Sequence, residues 1–162
     1  MNRCKLLCDN QFGFRQRYST YLALLNIRFQ LVLMMDGKYT ICIFLDLSKA
    51  FDTINHDILL HKLEVYGIRG VALAWLASYR SNRMQCVSID DCISESKLIS
   101  CGVPQGSILE PLLFLFYIND IVRSSDLLKF IIFADDTNLF MSNIDLKTLI
   151  SNVNDELSKV SR

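Results

Sequence analysis

Apolar residues along the chain fall into two kinds of segment, one with a helical period and one nearly continuous. Leu22, Leu25, Phe29 and Val32 recur at helical spacing behind Ser19-Thr20, which can cap a helix, and Asp36-Gly37 ends it. Tyr39–Leu45 (YTICIFL) is an almost uninterrupted apolar run closed by Asp46, the pattern of a buried strand. Asn55 can cap a helix with Ile58, Leu59, Leu63 and Tyr66 on one face and Gly67 at its end. Val71, Leu73, Trp75, Leu76 and Tyr79 outline the next helix. Residues 84–89 and 97–101 read as two strands joined by a polar turn, and 107–122 as a buried helix. Residues 128–133 and 138–141 read as a hairpin with Asp135-Asp136 at its turn. Leu146, Leu149, Ile150, Val153, Leu157 and Val160 then mark a final amphipathic helix, with Asp145 as its cap. This order of elements predicts a mixed α+β fold.

Composition narrows the functional classes. The chain has 162 residues, with 17 Lys and Arg against 17 Asp and Glu, so its formal net charge is zero. That excludes a strongly basic, histone-like nucleic-acid binder and leaves room for an enzyme with a local basic groove. Apolar residues make up 51% of the chain. Yet the longest apolar stretches, 71–77 and 112–118, fall well short of the about 20 residues a spanning helix needs. No apolar run follows Met1-Asn2-Arg3-Cys4-Lys5, so neither a signal peptide nor a membrane partner is expected. Six cysteines stand at positions 4, 8, 42, 86, 92 and 101 without a Cys-x-x-Cys pair. Reduced thiols in an intracellular protein, cytoplasmic or nuclear, are the expectation rather than a zinc site.

The chemistry concentrates in carboxylates at strand ends. Asp46 terminates the first apolar run, and Asp135 and Asp136 sit in IIFADDTNLF. Adjacent like charges are unfavourable unless something neutralises them. A divalent cation does so, and hard oxygen donors suit Mg²⁺. Two such ions about 4 Å apart can serve a phosphoryl transfer. Alone, Asp135-Asp136 would also serve as an ordinary turn. Between the carboxylates lies GVPQGSILEPLLFLFYIND (102–120), where Gly102, Pro104, Gln105 and Gly106 precede a buried helix. His56 and His61 read as surface or capping residues on the Asn55 helix.

FLDLSKAFD (44–52), GVPQGSILEPLLFLFYIND and FADD (133–136), in this order and at these separations, resemble the palm of reverse transcriptases. The nearest likeness is to non-long-terminal-repeat retrotransposons of the jockey-like type. QFGFRQRYST (11–20) is similar to the segment those enzymes carry ahead of their first catalytic motif. The resemblance implies a reverse-transcriptase palm, a mainly antiparallel sheet packed on helices. It implies a remnant of the fingers and a connecting helix at 1–37, the palm with its motifs at 38–144, and a C-terminal palm helix at 145–162 that stops before a thumb.

The same resemblance implies the site. Asp46 and Asp135 would hold two Mg²⁺ (or Mn²⁺) ions, with Asp136 nearer the primer end and the carbonyl of Leu47 a further ligand. Phe51 would stand beside the sugar 2′ position as an aromatic gate, although an ordinary core Phe fits its position too. Pro104, Gln105 and Gly106 would lie against the incoming nucleotide, and Arg15 and Lys49 would contact phosphates. The implied reaction is RNA-directed DNA synthesis: a primer 3′-hydroxyl attacks a deoxynucleoside triphosphate opposite an RNA template. The implied partners are the RNA template, the DNA primer, deoxynucleoside triphosphates and the fingers and thumb of a longer polyprotein. Glu110 stands where the family usually has Gly, inside the nucleotide motif. A truncated or degenerate, non-catalytic palm is therefore the alternative reading.

Overall fold

The computed structural model describes residues 6–80, 83–103 and 106–161. In chain order they form α1 (Thr20–Met34), β1 (Tyr39–Leu45), α2 (His56–Val65) and α3 (Gly70–Arg80). Four two-residue strands follow: β2 (Met84–Gln85), β3 (Ser88–Ile89), β4 (Cys92–Ile93) and β5 (Lys97–Leu98). Then come α4 (Glu110–Ile118), a 3₁₀ turn at Ile121–Arg123, β6 (Lys129–Phe133), β7 (Asp136–Asn143) and α5 (Leu146–Val160). Helices mix with antiparallel strands, so the fold is α+β. Among the described residues no helix is long and apolar enough to cross a membrane. The chain divides into two compact units: one takes the chain up to Ser48 and again from Ile118, the other is Lys49–Tyr117.

In the first unit β7 lies between β1 and β6, antiparallel to both. Side chains alternate between the two faces of such a sheet. Phe130, Ile132, Leu139 and Met141 face α5, where Leu149 and Val153 complete a buried cluster. Burying each such Leu contributes about 2 kcal/mol. Asp145 caps α5 as predicted, its Oδ2 accepting from the Thr148 N–H at 2.8 Å. The other face presents Ile131, Phe133, Phe140 and Cys42 to α1 and Phe12. The outer edge of β6 is covered by the start of the chain. Phe12 N–H donates to the Ile132 carbonyl at 2.7 Å, and Ile132 N–H donates to the Asn10 carbonyl at 2.9 Å.

Two expectations about this unit are corrected. β1 is not a buried strand but an edge strand, with Tyr39 and Phe44 55% and 68% exposed. In α1 the predicted stripe of Leu22, Leu25, Phe29 and Val32 is exposed. The helix instead buries Ala23, backed by the half-buried Ile27, Leu31 and Met34. Apolar residues surround α1, so their period does not choose a face.

In the second unit Asn55 Oδ1 accepts from the N–H groups of Asp57 at 2.9 Å and Ile58 at 3.1 Å, capping α2. α2 buries Leu59 and Leu63. Its Lys62 Nζ donates to the Tyr117 carbonyl at 2.6 Å, and Tyr66 lies 5.0 Å from the Phe116 ring. α4 is shorter than the predicted 107–122. The strands predicted at 84–89 and 97–101 form two short ladders, β2 with β5 and β3 with β4. The pattern missed the strand at Cys92–Ile93. All eight strand residues are exposed, so no burial sustains longer pairing.

Candidate active site

Register decides what the first unit brings together. Leu45 of β1 lies opposite Thr137 of β7, so Asp46 and Asp136 follow as the next opposing positions. Directly opposed residues on one face have Cβ atoms about 5 Å apart. Phe44 opposes Asn138, and Phe133 opposes Asp136, which places all of these side chains on the α1 face. Asp46, Asp136, Phe44, Phe133 and Asn138 line one cleft of about 490 Å³ with Ala23 and Ile27 of α1. Asp46 and Asp136 are exposed within it. Asn138 is held by its own Nδ2, which donates to the Ile131 carbonyl at 3.0 Å.

Asp135 belongs to the turn rather than to the cleft lining. The turn between β6 and β7 is Ala134-Asp135, with Asp136 already in the strand, so the pair predicted at the turn is split between loop and ladder. Ala134 adopts φ +57°, a left-handed conformation that costs a β-carbon-bearing residue about 1–2 kcal/mol. Two residues that sequence reasoning did not single out touch this turn. Gln11 hydrogen-bonds both the N–H and the carbonyl of Ala134. Gly13 packs so close that an added Cβ would lie 2.2 Å from the Ala134 nitrogen. The available signal was a polar residue and a glycine inside an otherwise aromatic segment, which names no partner.

Arg15 is engaged locally. Its Nη1 donates to the carbonyls of Cys8 and Gln11, and the guanidinium lies 4.1 Å from the Tyr18 ring centroid. Leu47 is half-buried just past β1.

The second unit holds the other motif residues. Lys49 is exposed at φ +55°, and its carbonyl accepts from the N–H groups of Asp52 at 2.9 Å and Thr53 at 3.1 Å. Phe51 packs on Phe114 with ring centroids 4.4 Å apart. The carbonyl of Phe51 accepts from Val103 N–H at 3.0 Å, and that of Ile54 from Gly102 N–H at 2.8 Å. His56 Nε2 meets the Gly102 carbonyl at 2.6 Å, so this nitrogen carries the proton. Gly102 has φ +84°, and a Cβ there would fall 2.8 Å from the Asp52 carbonyl oxygen, so no other residue fits. Pro104 and Gln105 lie outside the described residues. Gly106 is exposed, and its N–H donates to Glu110 Oε2. Glu110 N–H in turn donates to Ser107 Oγ at 3.1 Å. Glu110 is therefore neither buried nor unpaired. It works as the acidic half of a reciprocal helix cap.

The model of the family described as reverse transcriptase (RNA-dependent DNA polymerase) matches residues 1–161. The chain belongs to the reverse transcriptase family. It is 33% identical over 128 residues, 75% of its length, to the probable RNA-directed DNA polymerase from transposon BS of Drosophila melanogaster. It is 36% identical over 111 residues, 68% of its length, to the RNA-directed DNA polymerase from mobile element jockey of the same species. A third relative, the probable RNA-directed DNA polymerase from transposon X-element, is 34% identical over 113 residues. The matched part spans 13%, 12% and 12% of these three proteins. The expected kinship with non-long-terminal-repeat retrotransposons is thereby shown.

For a reverse transcriptase domain the decisive question is whether the carboxylates suit a divalent ion. Asp46 and Asp136 supply hard oxygen donors from opposed strand ends on one wall of a cleft. Among the described residues no group of three or more His, Cys, Asp or Glu side chains is drawn together. One or two carboxylates, with remaining positions left for water and phosphate oxygens, fit Mg²⁺.

Proposed function

We propose that this chain is the palm of an RNA-directed DNA polymerase that extends a primer 3′-hydroxyl with deoxynucleotides opposite an RNA template. The observation that carries it is the placement of Asp46 and Asp136 at opposed ends of β1 and β7 on one wall of a cleft. In this reading residues 38–144 form the palm, α1 is the end of the fingers, and α5 is the last palm helix, with further fingers and thumb supplied by a longer protein. Asp46 and Asp136 hold divalent ions, with Asp135 at the turn and the Leu47 carbonyl beside them. Bound Mg²⁺ would lower the pKa of the primer hydroxyl and neutralise charge on the departing pyrophosphate. The chain itself holds Asp136 on the β-ladder and Asp46 just past the end of β1, which sets the geometry before substrate arrives. Phe51, Gly106 and the neighbouring Pro104 and Gln105 shape the nucleotide site, and Arg15 and Lys49 contact the phosphate backbone. Such contacts position the strands, while base pairing carries the sequence information.

The test is primer extension on poly(rA)/oligo(dT) with Mg²⁺, using the full-length protein that carries this chain. Extension that disappears in Asp46→Asn and Asp136→Asn is the expected result. A folded protein that extends nothing, or that extends equally well in both variants, overturns the assignment and favours a non-catalytic palm.

A further inference from the structure

Gln11 and Ala134 are 123 positions apart in the chain, and the structure joins them by two hydrogen bonds. Gln11 Oε1 accepts from the Ala134 N–H at 2.9 Å and from the Gly13 N–H at 2.7 Å. Gln11 Nε2 donates to the Ala134 carbonyl at 3.2 Å. The side chain thus spends both lone pairs of its oxygen and one of its two N–H donors on main chain. It is 2% exposed, so water does not compete for these groups. A buried amide with several fixed partners is rigid, because leaving any of them unpaired is costly.

The turn is where such a hold matters. Ala134 has a left-handed backbone that its β-carbon disfavours, and it is the last residue before Asp135 and Asp136. The backbone of Asn10–Phe12 is itself pinned along β6 by hydrogen bonds at Ile132, so Gln11 reaches the turn from a fixed base. Gly13 completes the fit, because any side chain there would occupy the space of the Ala134 backbone.

We infer that Gln11 is a positioning residue of the carboxylate site. Its amide clasps the peptide groups flanking Ala134, holds that residue left-handed, and so fixes where Asp135 leaves the turn and where Asp136 enters β7 beside Asp46. The inference rests on the proposed reading of Asp46 and Asp136 as a metal-holding pair. Gln11 acts through the main chain of Ala134. Removing partners that orient metal ligands lowers metal affinity by roughly 10–100-fold.

Two readouts test this, and neither needs polymerase activity. The first is amide hydrogen exchange at residue 134, followed by NMR. The second is Mn²⁺ affinity, titrated well below the melting temperature of every variant. In Gln11→Met, a side chain of similar length without hydrogen bonds, the Ala134 amide should lose its protection. Mn²⁺ affinity should fall by roughly 10–100-fold while the circular dichroism of the sheet and helices is kept. Ala134→Gly removes the cost of the left-handed backbone, so added to Gln11→Met it should recover part of that affinity. A residue that only stabilises the fold would lower the melting temperature and leave the affinity alone. Should Gln11→Met not fold, the same comparison is made with Gln11→Met introduced into Ala134→Gly. Unchanged protection at residue 134, or Mn²⁺ affinity within twofold of the parent, overturns the inference. A parent chain that binds Mn²⁺ no better than Asp136→Asn refutes the metal pair itself and with it the purpose of the clasp. In that case exchange at residue 134 still reports separately whether Gln11 fixes the turn.

Discussion

α1 and α5 are both 15-residue helices, and they pack on opposite faces of one three-stranded sheet. They do different work there. α5 is amphipathic and seals its face, with Leu149 and Val153 buried against Ile132, Leu139 and Met141 and the Glu156 carboxylate buried on the same helix. α1 is apolar on every side, buries one alanine fully, and leaves Leu24, Phe29, Val32 and Leu33 exposed. The α5 face is a closely packed, mainly apolar core, and the α1 face is a cleft lined by two carboxylates. A buried core and an open cleft thus lie on opposite sides of the same strands. The alternation of a β-ladder permits this, because neighbouring residues such as Asp136 and Thr137 point into different environments.

This contrast can be broken most sharply by mutating the two faces in turn. Asp46→Asn and Asp136→Asn should reduce primer extension on the order of a thousandfold, matching several kcal/mol of lost transition-state stabilisation. Because both side chains are exposed, urea denaturation should leave their stability within about 0.5 kcal/mol of the parent. On the opposite face Leu149→Ala should cost about 3 kcal/mol in the same denaturation experiment. Val32→Ala on α1 should change it by less than about 0.5 kcal/mol. Equal costs for these two would refute the division of labour. In the other unit Glu110→Gly should cost about 1 kcal/mol, because it removes a cap and places glycine in the first helical turn.

The smallest effect concerns pH. The Lys159 ammonium, 2.6 Å from Glu156 Oε1, holds the buried Glu156 carboxyl below its ordinary value of 4.5. A group depressed on folding adds stability above its unfolded value and loses it as pH falls through the folded one. The melting temperature should therefore drop below about pH 4.5 in the parent. That acid limb should be shallower in Glu156→Gln, since the α5 face then has one carboxyl fewer to protonate.

Much of this arrangement was legible beforehand. Caps at Ser19, Asn55 and Asp145 are local signals, and each is made by its own side chain in the structure. β1 runs over the residues its apolar pattern marks, and α5 follows its period from end to end. What failed depended on contacts that no window of sequence contains. The buried side of α1 is set by the sheet it meets, and a helix apolar all round offers no period to read. Residues 84–98 carry strand-like composition but find nothing to pack on, so pairing stops after two residues at a time. Glu110 read as an unwelcome charge because its partner, the Gly106 N–H, is a backbone group. The carboxylates were recognised by motif, but it takes the register to bring Asp136 beside Asp46 at one cleft.

The strip of chain at Asn10–Phe12 that runs beside Ile132 also sets an order of events. Pairings between distant parts of a chain form late, since the loop between them must first be closed. As the protein emerges during synthesis, β1 and Asp46 are present long before β6 and β7 exist. Gln11 waits through more than a hundred further residues for the peptide groups it will grip. The two halves of the carboxylate pair are therefore made at different times. The nascent chain carries Asp46 without its counterpart until Asp136 has been translated.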